Sequence, residues 1–281
     1  MMRFARKLLG GDSETRDVVV VLGTALLLWE AGVWLFQPSP LILPAPSAIF
    51  AAFLETPGLF MRHLGFTLGM TCIGFVLAVV LGVALAVGIV YSRFLERTIY
   101  TLLVALNSIP KVALAPLFVI WMGTGPEPKV AIALMLAIFP IVIDTVLGLR
   151  SVDPDMLHLA RVSKASPWAV LTKIRFPCAL PSLFAGMKVA ISFALVGAIV
   201  GEFVAGSQGI GFQILVAQGQ FDTVRVFVSL LLLGLVGTVL FFLVDYAERL
   251  LLPWHVSQRA RHERSAERVR RLRQARSEPW P

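Results

Sequence analysis

The stretch DPDMLHLARVSKASPWAVLTKIRFPCALP, residues 153–181, is a polar island in an otherwise apolar chain, and its reading decides the rest. Its grammar is helix, break, helix. Asp153 is placed to cap a first helix with Pro154 at the first helical position, and Ser166 with Pro167 repeats the arrangement thirteen residues later. Pro177 and Pro181 are expected to close the second helix, because proline lacks the N–H that continues a helical ladder. Two short capped helices between long apolar runs make a shaped platform, and a platform points to a docking partner.

Outward from the platform the chain is greasy. Of 281 residues 57% are hydrophobic and 15% charged, against roughly 25% charged in an ordinary soluble domain. Apolar runs of about 20 residues suffice to cross a bilayer. Six spans fit the pattern, near 17–37, 64–91, 98–123, 129–149, 182–206 and 223–252, giving an all-α polytopic membrane protein. The first span follows a basic start and lacks a convincing small-residue cleavage site, so it is expected to stay in place.

Lys and Arg set the orientation. With the N-terminus inside, the cytoplasmic side receives Arg3, Arg6, Lys7, Arg16, Arg93, Arg97, Arg150, Arg161, Lys164, Lys173 and Arg175. The Arg-rich tail joins them, leaving Arg62, Lys129 and Arg225 outside. Both termini and the platform are therefore expected in the cytoplasm. The domain reading is a cytoplasmic segment 1–16, a membrane domain 17–252 with a cytoplasmic loop 150–181, and a basic tail 253–281. From His255 the tail carries eight Arg and three Glu, and reads as a basic helix or a solvated arm touching lipid or a partner. The net charge of +8 sits beside the spans and in the tail, so anionic lipids explain it better than nucleic acid does.

Cys72 and Cys178 fall at different depths and are expected as free thiols. No metal-ligand spacing and no GxxxxGK[ST] loop occurs in the sequence, so the chain is expected to bind no cofactor and hydrolyse no nucleotide. Four prolines between Pro38 and Pro46 precede a short apolar helix that Ser47 is placed to cap, lying along the outer interface. Gly209 and Gly211 suit a sharp turn into a second outer helix. No internal repeat is visible, and six spans make half a pathway, so a homodimer or a pair with a related permease subunit is the expected assembly.

The platform resembles the EAA loop of ABC importer permeases: Glu-Ala-Ala, a Gly four residues beyond the second Ala, then Ile-x-Leu-Pro. The pattern lands on His158, Leu159 and Ala160, then Lys164, then Ile174, Phe176 and Pro177. The flanks IPKVALAPLFVIWMGTG (109–125), FPIVIDTVLGLRSVDP (139–154), ALPSLFAGMKVA (179–190) and GEFVAGSQGIG (201–211) are similar to the nitrate, sulfonate and taurine importer permeases. The likeness covers about 40–255.

That resemblance implies a type I ABC importer permease fold in a bacterial inner membrane. It also implies two cytoplasmic ATPase subunits that bind ATP and Mg, a solute-binding protein outside, and alternating access for a small solute. The substrate it suggests is an anion of the nitrate, sulfonate or taurine class. His158, Leu159, Ala160, Arg161, Lys164, Ala165, Ser166, Pro167 and Trp168 become the ATPase-coupling contact. Small residues at 160, 165 and 166 suit its buried face, and Arg161 and Lys164 suit an acidic rim. At Lys164, where the pattern has Gly, a left-handed turn costs roughly 1–2 kcal/mol.

Within the spans, Lys111 lies near mid-depth, where a charge costs roughly 2.5–3.5 kcal/mol, so it is expected to face protein or water. Either it attracts an anionic solute or stabilises a gate, or it serves a carbonyl freed by Pro110 or Pro116. Asn107 and Ser108 lie one turn earlier, within reach of the same face. Glu202 reads either as a pathway or gate residue, which the resemblance supports, or as a solvated helix end. Asp144 reads either as pathway lining or, by preference, as an interfacial charge near Arg150.

Gly186, Ala190, Ala194, Ala198, Gly201 and Ala205 form a small-residue stripe, read first as helix packing and second as a movable dimer seam. An ATP-independent transporter or channel would call for buried mid-depth acids, and a membrane scaffold would leave Lys111 and the 209–211 loop without purpose.

Overall fold

In the computed structural model, residues 12–100 and 110–252 are described, and among them every regular element is helical. The helices are α1 (Asp12–Phe36), α2 (Pro46–Glu55), α3 (Pro57–Tyr91), α4 (Ala115–Met122) and α5 (Glu127–Arg150). They continue as α6 (Pro154–Val162), α7 (Pro167–Val170), α8 (Phe176–Ala205), α9 (Ile210–Gly219) and α10 (Thr223–Leu251). Five segments are long and apolar enough to cross a membrane: Val19–Phe36, Pro57–Tyr91, Glu127–Arg150, Pro167–Ala205 and Thr223–Leu251.

The sixth expected span, 98–123, is not one regular helix. A π-helical turn (Glu96–Tyr100) leads into it, Pro110 is extended, a 3-10 turn (Lys111–Leu114) follows, and α4 ends at Gly123 with φ +84°. Pro110 and Pro116 lack the N–H groups a continuous ladder needs. Asn107, Ser108 and the basic tail lie outside the described residues, as do residues 1–11 of the N-terminal segment.

α5 and α8 form the centre, and glycine lets their backbones meet. A methyl group added to Gly197 would lie 2.6 Å from the Cα of Ala133, and one added to Gly201 would lie 2.8 Å from that of Lys129. Ala190, Ala194 and Ala198 are buried in the same seam. The small-residue stripe therefore packs one protomer's own helices, the first of its two readings. α3 joins the same core through Gly74 and Gly82, which abut Ala133 and Ile141 of α5.

Two proline expectations are corrected. Pro177 and Pro181 do not end the second platform helix: a π-helical turn, Leu171–Arg175, carries the chain straight into α8, with Pro177 in the first turn and Pro181 inside. Spanning helices tolerate proline where local π adjustment and neighbours re-satisfy freed carbonyls. Nor does Ser47 cap α2. Pro46 begins that helix, while the Ser47 hydroxyl and N–H donate to Glu30 Oε1 and Oε2 at 2.7 and 3.0 Å, tying α2 to α1.

Candidate functional site: platform, membrane cavity and buried polar clusters

The platform folds as its capping residues dictate. Asp153 accepts from the Asp155 N–H at 2.8 Å with Pro154 opening α6, and Ser166 accepts from the Ala169 N–H at 3.2 Å with Pro167 opening α7. Between them Lys164 sits at φ +50°. Its N–H donates to Arg161 and the Ala165 N–H donates to Ala160, the paired bonds of a Schellman close. The turn that glycine favours is thus kept with a lysine in it. Lys164→Gly is expected to stabilise the protein by about 1 kcal/mol, read as a rise in the thermal unfolding midpoint.

Three contacts fix the platform to the bundle. Tyr91 donates to the Pro167 carbonyl at 3.3 Å, and Arg175 donates to the Leu149 carbonyl at 2.8 Å while lying over the Tyr91 ring. A separate pair, Arg150 with Glu96 at 2.7 Å, joins the end of α5 to the turn after α3 and lies outside the platform. On the outward face Leu159 is 68% exposed, Val162 81% and Trp168 71%. Met156, Leu159 and Val162 follow one another at helical steps of three, so they share a face. His158, Arg161, Lys164, Ala165, Ser166 and Pro167 are exposed around them. Ala160 departs from expectation: at 7% exposure it faces the protomer, not a partner. Met156 and Val162 were missed in the sequence, although their spacing with Leu159 signalled them.

Within the bundle, Lys111 borders a 460 Å³ cavity with Phe139, Pro140, Asp144, Val189 and Phe193. Its ammonium lies 4.9 Å from the centre of the Phe139 ring. Asp144 is a correction to its preferred reading. Arg150 is engaged by Glu96, and six residues of α-helix place Asp144 about 120° around the axis from it, toward the cavity and Gly186.

Glu202 loses one of its two readings, for it is fully buried and not a solvated helix end. One carboxylate oxygen accepts from the Thr67 hydroxyl at 2.8 Å and the other from the Gly211 N–H at 2.7 Å. Thr67 in turn accepts from the Ile210 N–H at 2.8 Å, and His63 Nδ1 accepts from the Gly209 N–H at 3.0 Å. Gly209 has φ +108°, and a Cβ there would strike the Glu202 carboxylate at about 2.1 Å, so glycine is required twice over. Lys129, counted as an outer-loop charge from sequence, is buried beside Glu202 as its counter-charge. It donates to the carbonyls of Thr124, Gly125 and Ala205 at 3.1, 2.7 and 3.1 Å. The network clasps the start of α9 to α3 and α8.

A further charged cluster was not anticipated. Lys188 of α8 pairs with both Asp245 and Glu248 of α10, and Arg249 adds a 2.9 Å contact to Asp245. Buried acids within the spans therefore exist, contrary to the argument used against an ATP-independent transporter. Each is matched by a cation.

The chain matches the family described as binding-protein-dependent transport system inner membrane component over residues 78–253. It is 38% identical over 240 residues to the riboflavin transport system permease protein RibX of Chloroflexus aurantiacus, covering 85% of this chain and 90% of that protein. The formylaminopyrimidine transport permease protein ThiX of Halalkalibacterium halodurans is 34% identical over 83% of this chain and 93% of its own length. A putative aliphatic sulfonates transport permease protein, SsuC of Escherichia coli, is 31% identical over 81% and 88% respectively. Among solved structures, an inward-facing MetNI methionine ABC transporter superposes with a TM-score of 0.62 at 21% identity, covering 69% of this chain and 97% of that one. The all-helical bundle is thus the type I ABC importer permease fold, ATP hydrolysis belongs to a separate subunit, and the chain belongs to the binding-protein-dependent transport system inner membrane component family.

Proposed function

We propose that this permease subunit works as one of a pair, with both termini and the α6–α7 platform in the cytoplasm, where the platform docks on an ATPase dimer carrying ATP and Mg. A loaded solute-binding protein docks at the opposite end, against the α9 loop. ATP-driven closure of the ATPase pair then rocks the permease halves to open the pathway outward, and hydrolysis resets them. The observation carrying this reading is the exposed apolar face of Met156, Leu159, Val162 and Trp168 on a platform immobilised by two caps and by the contacts of Tyr91 with Pro167, Arg175 with Leu149 and Arg175 with the Tyr91 ring. An apolar surface ringed by Arg161 and Lys164 suits a protein groove with an acidic rim.

Ala165→Arg tests it. The exposed methyl at the platform's apex becomes a long cation without touching the bundle, so insertion and folding are expected to persist. Solute-stimulated ATP hydrolysis in proteoliposomes is expected to fall about tenfold or more, the size of an interface hot spot. Stimulated hydrolysis equal to wild type would remove the coupling role.

For the solute, an anion of the nitrate, sulfonate or taurine class draws support from the sulfonate permease relative. A second reading, a heteroaromatic solute, is favoured by the higher identity to the riboflavin and formylaminopyrimidine permeases. Lys111→Met is the companion variant: reduced uptake with intact assembly fits a pathway role for the cation.

A further inference from the structure

The cavity bordered by Lys111 lies about halfway along α5 and is a fitting size for a small organic solute. Its chemistry is mixed. A cation, Lys111, and a carboxylate, Asp144, share one 460 Å³ space, and the faces of Phe139 and Phe193 supply aromatic surface. Pro140 adds a third polar feature. Lacking an N–H, it leaves the carbonyl of Leu136, itself on the cavity wall, without its helical donor. Gly186 lets α8 pack directly on Asp144: a Cβ there would press on Asp144 Cβ at 2.9 Å and Oδ2 at 3.0 Å. Val189 and Phe193, 47% and 44% exposed, form the open side on α8.

Resting on the importer reading above, we infer that this cavity is a solute-contact site and that it takes a planar nitrogen heteroaromatic without net charge. Such a ring presents donors and acceptors along one edge and two apolar faces. Ring N–H or amino groups meet Asp144 and the Leu136 carbonyl, ring nitrogens or carbonyls meet the Lys111 ammonium, and the faces lie against phenylalanine. A small anion fits poorly. It leaves the aromatic surface unused, and the repulsion of Asp144 offsets the attraction of Lys111 within the same space. The Lys111 ammonium lies over the Phe139 ring, 4.9 Å from its centre, which holds the cation at the cavity wall and leaves the Phe193 ring as the surface for stacking.

The test is equilibrium dialysis of the full chain, assembled with its ATPase in lipid nanodiscs, against tritiated riboflavin, tritiated cytosine and radiolabelled methanesulfonate. Saturable binding of at least one heteroaromatic and none of methanesulfonate is expected. Asp144→Asn, nearly isosteric, is expected to weaken binding roughly tenfold through loss of a charge-assisted hydrogen bond. Val189→Trp, filling the open side, is expected to abolish it, with thermal unfolding confirming that the variant is folded. Methanesulfonate bound without either heteroaromatic, no probe bound, or heteroaromatic binding indifferent to both substitutions would overturn the inference. Failure of the ATPase to co-purify would instead strike the importer reading itself.

Discussion

Replacement of Lys188 by Met is expected to lower the unfolding free energy by about 3–5 kcal/mol, the loss typical of a buried pair deprived of one partner. Lys188 is the cation between two acids of α10, and removing it leaves Asp245 and Glu248 facing one another in a dry seam with only the half-exposed Arg249 to answer them. The stem of Met fills similar volume, so the loss is electrostatic and not a packing effect. The triple variant Lys188→Met, Asp245→Asn, Glu248→Gln is expected to recover most of the stability, because no uncompensated charge remains. Thermal unfolding in detergent, followed by size-exclusion fluorescence, reads both. A triple variant no more stable than the single one would show that the cluster contributes through packing alone.

Glu202→Ala is expected to cost about 3 kcal/mol. Three losses combine: the Gly211 N–H and the Thr67 hydroxyl lose their acceptor, and buried Lys129 loses its counter-charge. Glu202→Gln is milder. Its oxygen still accepts from Gly211, and its amide donates to Thr67, which turns its own hydrogen to the His63 carbonyl 3.3 Å away. The local reporter is amide hydrogen exchange across Gly209, Ile210 and Gly211, expected to quicken about 100-fold in Glu202→Ala and much less in Glu202→Gln. Unchanged exchange in Glu202→Ala would mean that the α9 loop is held by its apolar contacts and not by the carboxylate.

Much of the platform was legible because its forces are local. Asp153 and Ser166 each bond an amide two or three residues ahead, and the left-handed position of Lys164 follows from the end of a nine-residue helix. The small-residue stripe was legible for the same reason, since a step of three or four residues marks one helix face whatever it meets. The site chemistry was less so. Glu202 and Thr67 are 135 residues apart and Lys188 and Asp245 are 57 apart, and no spacing rule links positions on different helices. Ala160 shows the limit within the platform: its residue type suited a partner, and only the tilt of α6 against the bundle turned it inward.

By itself, the sequence determined the membrane setting, the helical class and the capped platform, because hydrophobic length and capping act over one turn or one span. Tertiary structure alone decided which charges are compensated, which way Asp144 faces, and that the chain is extended at Pro110 and turns through Lys111–Leu114 before α4. Those outcomes depend on which helix faces meet, and in an apolar surround an unmatched charge or amide settles its partner across the fold, not along the chain.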